Sequence, residues 1–203
     1  MTKKIVIATG NQGKVREMLN AFKNLAVELV SLKDLPKKYP EPVEDGDSFQ
    51  ANSLIKAKYY AQRTGMACLA DDSGLEVEAL LGAPGVYSAR YAGETATDEE
   101  NNAKLRNELQ GLGLDSSPAA YRCVLTFVDN DGTELVADGK CEGEIRLTPR
   151  GENGFGYDPY FYVGERTMAE MSLEEKQAIS HRGKAIEKMT QLLSARLRII
   201  RRC

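Results

Sequence analysis

Two carboxylates stand side by side at Asp71-Asp72, directly after the apolar run Ala67–Ala70, and Ser73-Gly74-Leu75 follow them. In an extended segment adjacent side chains point to opposite faces, so one carboxylate can face a site while the other braces the backbone. A carboxylate at a strand end suits Mg²⁺, which needs only one or two protein ligands when phosphates and waters fill the rest. It also suits a general base acting on water. Asp-Ser-Gly reads equally as an Asx-turn or a helix cap. A second stretch, Thr9-Gly10-Asn11-Gln12-Gly13-Lys14, joins an apolar run to an amphipathic one. A glycine-containing turn that opens a helix offers backbone N–H groups to phosphate. Gly10 and Gly13 permit close backbone approach, and Lys14 adds a point charge. The spacing matches neither the Walker pattern nor the Gly-x-Gly-x-x-Gly fingerprint, and such turns are often purely structural.

Three further groups could join these. Glu44-Asp45-Gly46-Asp47 lies in an acidic, proline-bearing loop, Asp34–Asp47, and is of interest only if that loop folds over the Asp72 region. Phe49, Asn52, Lys56 and Tyr60 fall on one face of the helix expected over Phe49–Arg63; Asn52 and Lys56 there could reach a phosphate or could edge a solvated face. Gly154-Phe155-Gly156-Tyr157-Asp158-Pro159 combines glycines, aromatics and an acid. Its rings could stack on a base and its backbone could read base edges, or it is a tight loop with a core aromatic. The one histidine, His181, sits in Ser180-His181-Arg182-Gly183, close in sequence to Lys176.

The elements that must position these residues follow from periodicity. Lys3–Ala8, Val27–Ser31, Ala67–Ala70, Tyr121–Val128 and Thr133–Gly139 read as strands, with Gly143–Thr148 as a continuation. Asp129-Asn130-Asp131-Gly132 is a hairpin turn. Helices are expected over Lys14–Asn24, with Val15, Leu19, Phe22 and Ala26 near helical spacing, over Asp98–Leu109 with Thr97 or Asp98 as cap, and from Gly183 to Ile200. Ser172-Leu173-Glu174-Glu175 is a capping box. Early strand–helix units and a late hairpin predict an α/β fold with a mixed sheet.

The chain has 203 residues, 42% of them hydrophobic, and a net charge of −3. That fits a single domain of two lobes over 1–203. It gives no field that attracts nucleic acid, so any nucleotide must be held locally. No run of about 18 apolar residues predicts a membrane span. The cysteines, at 68, 123, 141 and 203, form no C-x-x-C pair, which argues against zinc and for a reducing cytoplasm. The arginine-rich end, about 196–203, is expected to fray.

Taken in order, these motifs resemble the Ham1/RdgB-like family, the inosine-triphosphate pyrophosphatases. The matching pieces are Thr9-Gly10-Asn11-x-x-Lys14, Asp71-Asp72-Ser73-Gly74-Leu75, the run Gly82 to Arg90, Gly154 to Pro159, and Ser180-His181-Arg182-Gly183. They span roughly Lys4 to Leu193. The resemblance implies an elongated α/β fold with a mixed twisted sheet flanked by helices, a nucleotide cleft between two lobes, and a homodimer. It implies Mg²⁺-dependent cleavage of ITP, dITP and XTP to the monophosphate and pyrophosphate. By resemblance, Thr9, Gly10, Asn11, Gln12, Gly13 and Lys14 would hold the triphosphate. Asp72 would be metal ligand and proton acceptor, Glu44 the second metal carboxylate, and Lys56 a lysine facing the phosphates. Ser73, Phe155, Gly156, Tyr157, Asp158, Lys176, His181 and Arg182 would contact the nucleotide. The family helix carries Glu-Asn-Ala after its Phe, whereas this chain reads Ala51-Asn52-Ser53, so position 51 receives no role.

This expectation agrees with the residues. Phosphoryl transfer demands positioning and charge neutralisation, which an acidic chain must supply locally. A donor from Arg182 or loop N–H groups would meet the keto oxygen of hypoxanthine or xanthine but face the amino donor of adenine, a mismatch that discriminates strongly. The alternatives are a Maf-like nucleotide pyrophosphatase of other base preference, whose Ser- and Arg-rich turn differs from Thr9–Lys14; a non-catalytic nucleotide sensor; and a phosphatase that would release orthophosphate.

Overall fold

The structure is a computed structural model and describes residues 3–23 and 25–200. Its elements run β1 (Lys3–Ala8), α1 (Gln12–Phe22), β2 (Val27–Ser31), α2 (Phe49–Thr64), β3 (Ala67–Val77), α3 (Asp98–Gly111), β4 (Ser116–Val128), β5 (Glu134–Arg146), β6 (Phe161–Val163), β7 (Arg166–Thr167), α4 (Leu173–Ile179) and α5 (His181–Ile200). Seven strands form one mixed sheet in the order β2-β1-β3-β4-β5-β6-β7. β1 pairs parallel with β2 and β3, while β5/β6 and β6/β7 are antiparallel. The expected α/β class with a mixed sheet is therefore what forms.

The chain divides into two compact units: Met1–Asp72 with Cys123–Gly139 and Gly183–Cys203, and Ser73–Arg122 with Lys140–Arg182. In the first unit, strand alternation builds three layers. Ile5, Ile7, Ala67 and Leu69 pack against Val15, Met18 and Phe22 of α1 and Ala185, Ile186, Met189 and Leu193 of α5. Their neighbours Val6, Ala8, Cys68 and Ala70 face the other way, onto Ala57 and Tyr60 of α2. The second unit packs Leu105 and Leu109 of α3 with Leu75, Tyr121, Ile145, Tyr157 and Phe161.

Several boundaries differ from expectation. α1 starts at Gln12, because Asn11 Oδ1 caps it by accepting from the N–H groups of Gly13 (2.9 Å) and Lys14 (3.2 Å). Leu19 is 42% exposed and Met18 takes the buried place at 0%, so the inward face is Val15, Met18 and Phe22. β3 does not stop at Ala70 but runs on to Val77, which makes Asp71, Asp72 and Ser73 strand residues rather than a turn or cap. β5 absorbs most of the separate strand expected at Gly143–Thr148. A Cβ at Gly143 would land on the Tyr162 carbonyl, so glycine is what lets β6 pair there. The last helix begins at His181, two residues early.

The expected fraying of 196–203 does not extend to Arg196, which lies in α5 and pairs with Asp131 and with Asp129. Residues 201–203, Cys203 among them, and Asn24 at the expected end of α1 lie outside the described residues. Cys68, Cys123 and Cys141 are buried as thiols, and burial pushes the Cys68 thiol well up. These three are expected to resist Ellman's reagent in the native protein and to react only after unfolding, as peptide mapping of the labelled chain would show.

Candidate active site

The alternation of β3 decides what its two carboxylates do. Asp71 keeps step with Ala67 and Leu69 and so faces the α1 layer; Asp72 keeps step with Cys68 and Ala70 and faces α2. Accordingly Lys14, in the first turn of α1, lies 2.9 Å from Asp71 Oδ1, and the buried Cys123 thiol points at Asp71 Oδ2 from 3.8 Å. Lys56 of α2 lies 3.2 Å from Asp72 Oδ1 and 2.9 Å from Glu44 Oε2. One ammonium thus bridges the strand carboxylate and the acidic loop, and Glu44 does reach the Asp72 region.

Asn52 holds that loop in place. It lies one helical turn before Lys56 on the same face, and its Oδ1 accepts from the Gly46 N–H at 2.8 Å. A Cβ at position 46 would come within 2.6 Å of that oxygen, so only glycine admits the contact. Ala51, the departure from the family pattern, supplies only its N–H, capped by Ser48 Oγ at 3.3 Å.

The electrostatics follow from burial. Desolvation alone would lower the Lys56 pKa, but Asp72, Asp71 and Glu44 outweigh it and hold Lys56 above an ordinary lysine. Burial raises Asp72 above the usual carboxylate value, against the lowering pull of Lys56 and Lys14. Asp72 Oδ2 is buried with no hydrogen-bond partner among the described residues. A hard cation would satisfy such an oxygen. The described residues form no group of three or more His, Cys, Asp and Glu, but Mg²⁺ takes most of its ligands from water and phosphate, so Glu44 and Asp72 fit it.

In the turn before α1 the structure narrows the expectation. The Gly13 and Lys14 N–H groups are already taken by Asn11. The Asn11 N–H donates to Thr9 Oγ1 at 3.2 Å, and Gln12 Nε2 donates to the Gly10 carbonyl at 3.2 Å. Asn11 and Gln12 themselves are exposed at the mouth of the turn.

The second unit gathers the remaining residues around Asp158. Its Oδ2 accepts from the Phe155 N–H at 2.9 Å and from Lys176 Nζ at 2.8 Å. Tyr121, buried and hydrogen-bonded to Asp158, has its phenol pushed far up, by burial first and then by that carboxylate. The Tyr121 ring stacks on His181, with centroids 4.6 Å apart and planes at 13°. Arg182, 2% exposed, donates to Ser73 Oγ at 2.9 Å. The half-buried Phe155 ring has Lys176 Nζ at 4.6 Å and the Arg182 guanidinium at 5.7 Å from its centroid. Tyr157 turns inward instead: its O–H donates to the Ser88 carbonyl at 2.8 Å and its ring joins the core. Of the two aromatics expected to stack on a base, only Phe155 is left partly open.

The backbone of this loop is also less free than expected. The Phe155 N–H goes to Asp158, and the Gly156 N–H goes to Asp98 Oδ2 at 2.7 Å, so neither is spare to read a base edge. Tyr121, Asp98 and Asn102 carry no mark in the sequence as partners of this loop, whereas Ser88 lies in the run Gly82 to Arg90. Gly154 has φ +82° and a Cβ there would land on Asp158 Oδ2. Gly154→Ala is therefore expected to lower the melting temperature by about 4–8 °C, equivalent to about 2 kcal/mol, read by thermal denaturation.

Fold and site together define a mixed-sheet α/β protein with a buried lysine–carboxylate centre in one unit and a cation-flanked aromatic in the other. The chain belongs to the Ham1 family, whose sequence profile matches residues 5–192. The dITP/XTP pyrophosphatase of Desulforamulus reducens is 48% identical over 193 residues, covering 94% of this chain and 96% of that protein. That of Geobacter sulfurreducens is 49% identical over 185 residues, covering 90% and 92%. The solved structure of a HAM1 protein from Coxiella burnetii superposes with a TM-score of 0.86 at 41% identity, covering 96% of this chain and 100% of that one.

Proposed function

We propose that this protein is a nucleoside triphosphate pyrophosphatase that hydrolyses non-canonical purine nucleotides, ITP, dITP and XTP, to the monophosphate and pyrophosphate. The observation that carries the reading is Lys56 bridging Glu44 and Asp72, the second oxygen of Asp72 being buried with no hydrogen-bond partner among the described residues. Mg²⁺ held by Asp72 and Glu44 would neutralise the triphosphate and the leaving pyrophosphate. Asp72 takes the proton of a water that attacks the α-phosphorus, the role of a positioned general base. Lys56 and Lys14 supply fixed positive charge to the phosphates, with Thr9, Gly10, Asn11, Gln12 and Gly13 around them. Phe155 stacks on the base. With the Phe155 and Gly156 N–H groups committed elsewhere, Arg182 is the donor to the keto oxygen, and Ser73, Gly156, Tyr157, Asp158, Lys176 and His181 shape that pocket.

The reading includes a homodimer acting in the cytoplasm. No helix among the described residues is long and apolar enough to cross a membrane. The test is a product-resolved assay with Mg²⁺ over ITP, XTP, dITP, GTP, ATP and UTP. Monophosphate plus pyrophosphate from ITP, dITP and XTP, with ATP and UTP spared, is the expected outcome. Pyrimidine cleavage would replace the reading with a Maf-like one, orthophosphate with a phosphatase, and binding without product with a sensor.

A further inference from the structure

Asp98 and Asn102 are one helical turn apart on the same face of α3, and both reach a single residue far away in sequence. Asp98 Oδ2 accepts from the Gly156 N–H at 2.7 Å, and Asn102 Nδ2 donates to the Gly156 carbonyl at 2.9 Å. Gly156 has φ +62°, a left-handed conformation that costs other residues energy. Its neighbour on one side is Phe155. Phe155 and Gly156 line a groove together with Asp98, Asn102 and Arg106. The loop thus meets the helix in direct contact through these two hydrogen bonds, at the wall of that groove.

We infer that Asp98 and Asn102 are positioning residues for base selection, an inference that rests on the function proposed above. By fixing both polar groups of Gly156 they hold the Phe155 ring in register with Lys176 and Arg182. They also withdraw the Gly156 N–H as a donor that any base with an acceptor could use. Removing the clamp releases the ring and restores an indiscriminate donor. Recognition then weakens and flattens, while the carboxylate and lysines that act on the phosphates keep their places.

Asn102 is built for this rather than for helix stability. It is 8% exposed, and its Oδ1 has no hydrogen-bond partner among the described residues, so the side chain tolerates a buried unsatisfied acceptor to keep its bond to Gly156. Asp98 is exposed and stands at the first helical position. The capping box of Thr97 and Glu100 closes the helix end without it.

The experiment compares wild type with Asp98→Ala, Asn102→Ala and Asp98→Asn, by calorimetric titration with IMP and AMP and by steady-state kinetics on ITP. Both alanine variants are expected to bind IMP about tenfold more weakly and to lose most of the preference for IMP over AMP, as loss of a charge-assisted or buried bond implies. KM for ITP should rise by a similar factor, with kcat within about threefold of wild type. Asp98→Asn keeps an accepting oxygen and should recover IMP binding to within about threefold. Unchanged IMP affinity and IMP:AMP ratio in Asp98→Ala would overturn the inference, as would an equal fall of kcat without a change in KM. Should Asn102→Ala fail to fold, the Asp98 pair decides. A wild type that releases no pyrophosphate from ITP removes the proposed function, and the titrations still judge the clamp; a wild type with no preference for IMP overturns the clamp itself.

Discussion

Asp72→Asn is expected to lower the rate of pyrophosphate release from ITP by about a thousandfold, the range that loss of a positioned general base produces. The substitution is nearly isosteric, so Oδ1 can still meet Lys56, now 3.2 Å away, and the fold should persist. What disappears is the oxygen that accepts a proton and carries charge. Nucleotide affinity should fall much less than kcat, because Phe155, Lys176 and Arg182 are untouched. The measurement is single-turnover release of labelled pyrophosphate beside a binding titration. A variant within tenfold of the wild-type rate would remove Asp72 both as proton acceptor and as a charge the reaction needs, and leave it at most a neutral oxygen near the phosphates.

The second large effect is expected from Lys56→Met. Lys56 pairs with both Glu44 and Asp72, and Asp72 is already pushed toward its neutral form by burial. Deleting the ammonium leaves two carboxylates facing each other in a largely dry place. Breaking such a pair from one side costs about 3 kcal/mol, or roughly 6–12 °C in melting temperature for a chain of this size. Turnover should fall together with stability. Combining Lys56→Met with Asp72→Asn separates the two consequences. The double variant no longer buries an unpaired carboxylate on β3 and should recover part of the lost melting temperature, while activity stays abolished. Additive losses of stability in thermal denaturation would mean that the bridge is not coupled as the distances imply.

Much of this site is legible in residue order alone. The turn Thr9–Lys14, the pair Asp71-Asp72, the loop Gly154–Pro159 and the run Ser180–Gly183 stand out by residue type and spacing. The Asn130-Asp131-Gly132 turn forms as expected, with Gly132 at φ +83°; the capping box at Ser172 is present, and of Thr97 and Asp98 it is Thr97 that caps α3. Each of these depends on residues a few positions apart, whose interactions local geometry sets. The same holds for the opposite orientation of Asp71 and Asp72, which follows from strand pleat alone, once the segment is extended.

What tertiary structure alone decided is where those side chains end. Pleat says that the two carboxylates diverge, but only the packing of α1 on one face and α2 on the other hands Asp71 to Lys14 and Asp72 to Lys56. Composition marks Tyr157 as an aromatic near a site; packing buries it against Ser88 and leaves Phe155 partly open. Asp98–Leu109 reads as a polar helix, yet Asn101 and Asn102 are buried, because Asn101 satisfies backbone at Ala89 and Ala92 and Asn102 satisfies the Gly156 carbonyl of a loop distant in sequence. His181 and Tyr121 stack although they lie far apart along the chain. Caps, turns and pleat are enforced by neighbours along the chain, so residue order carries them. Partners across tens of residues exist only when layers pack, and burial then selects which polar groups must meet.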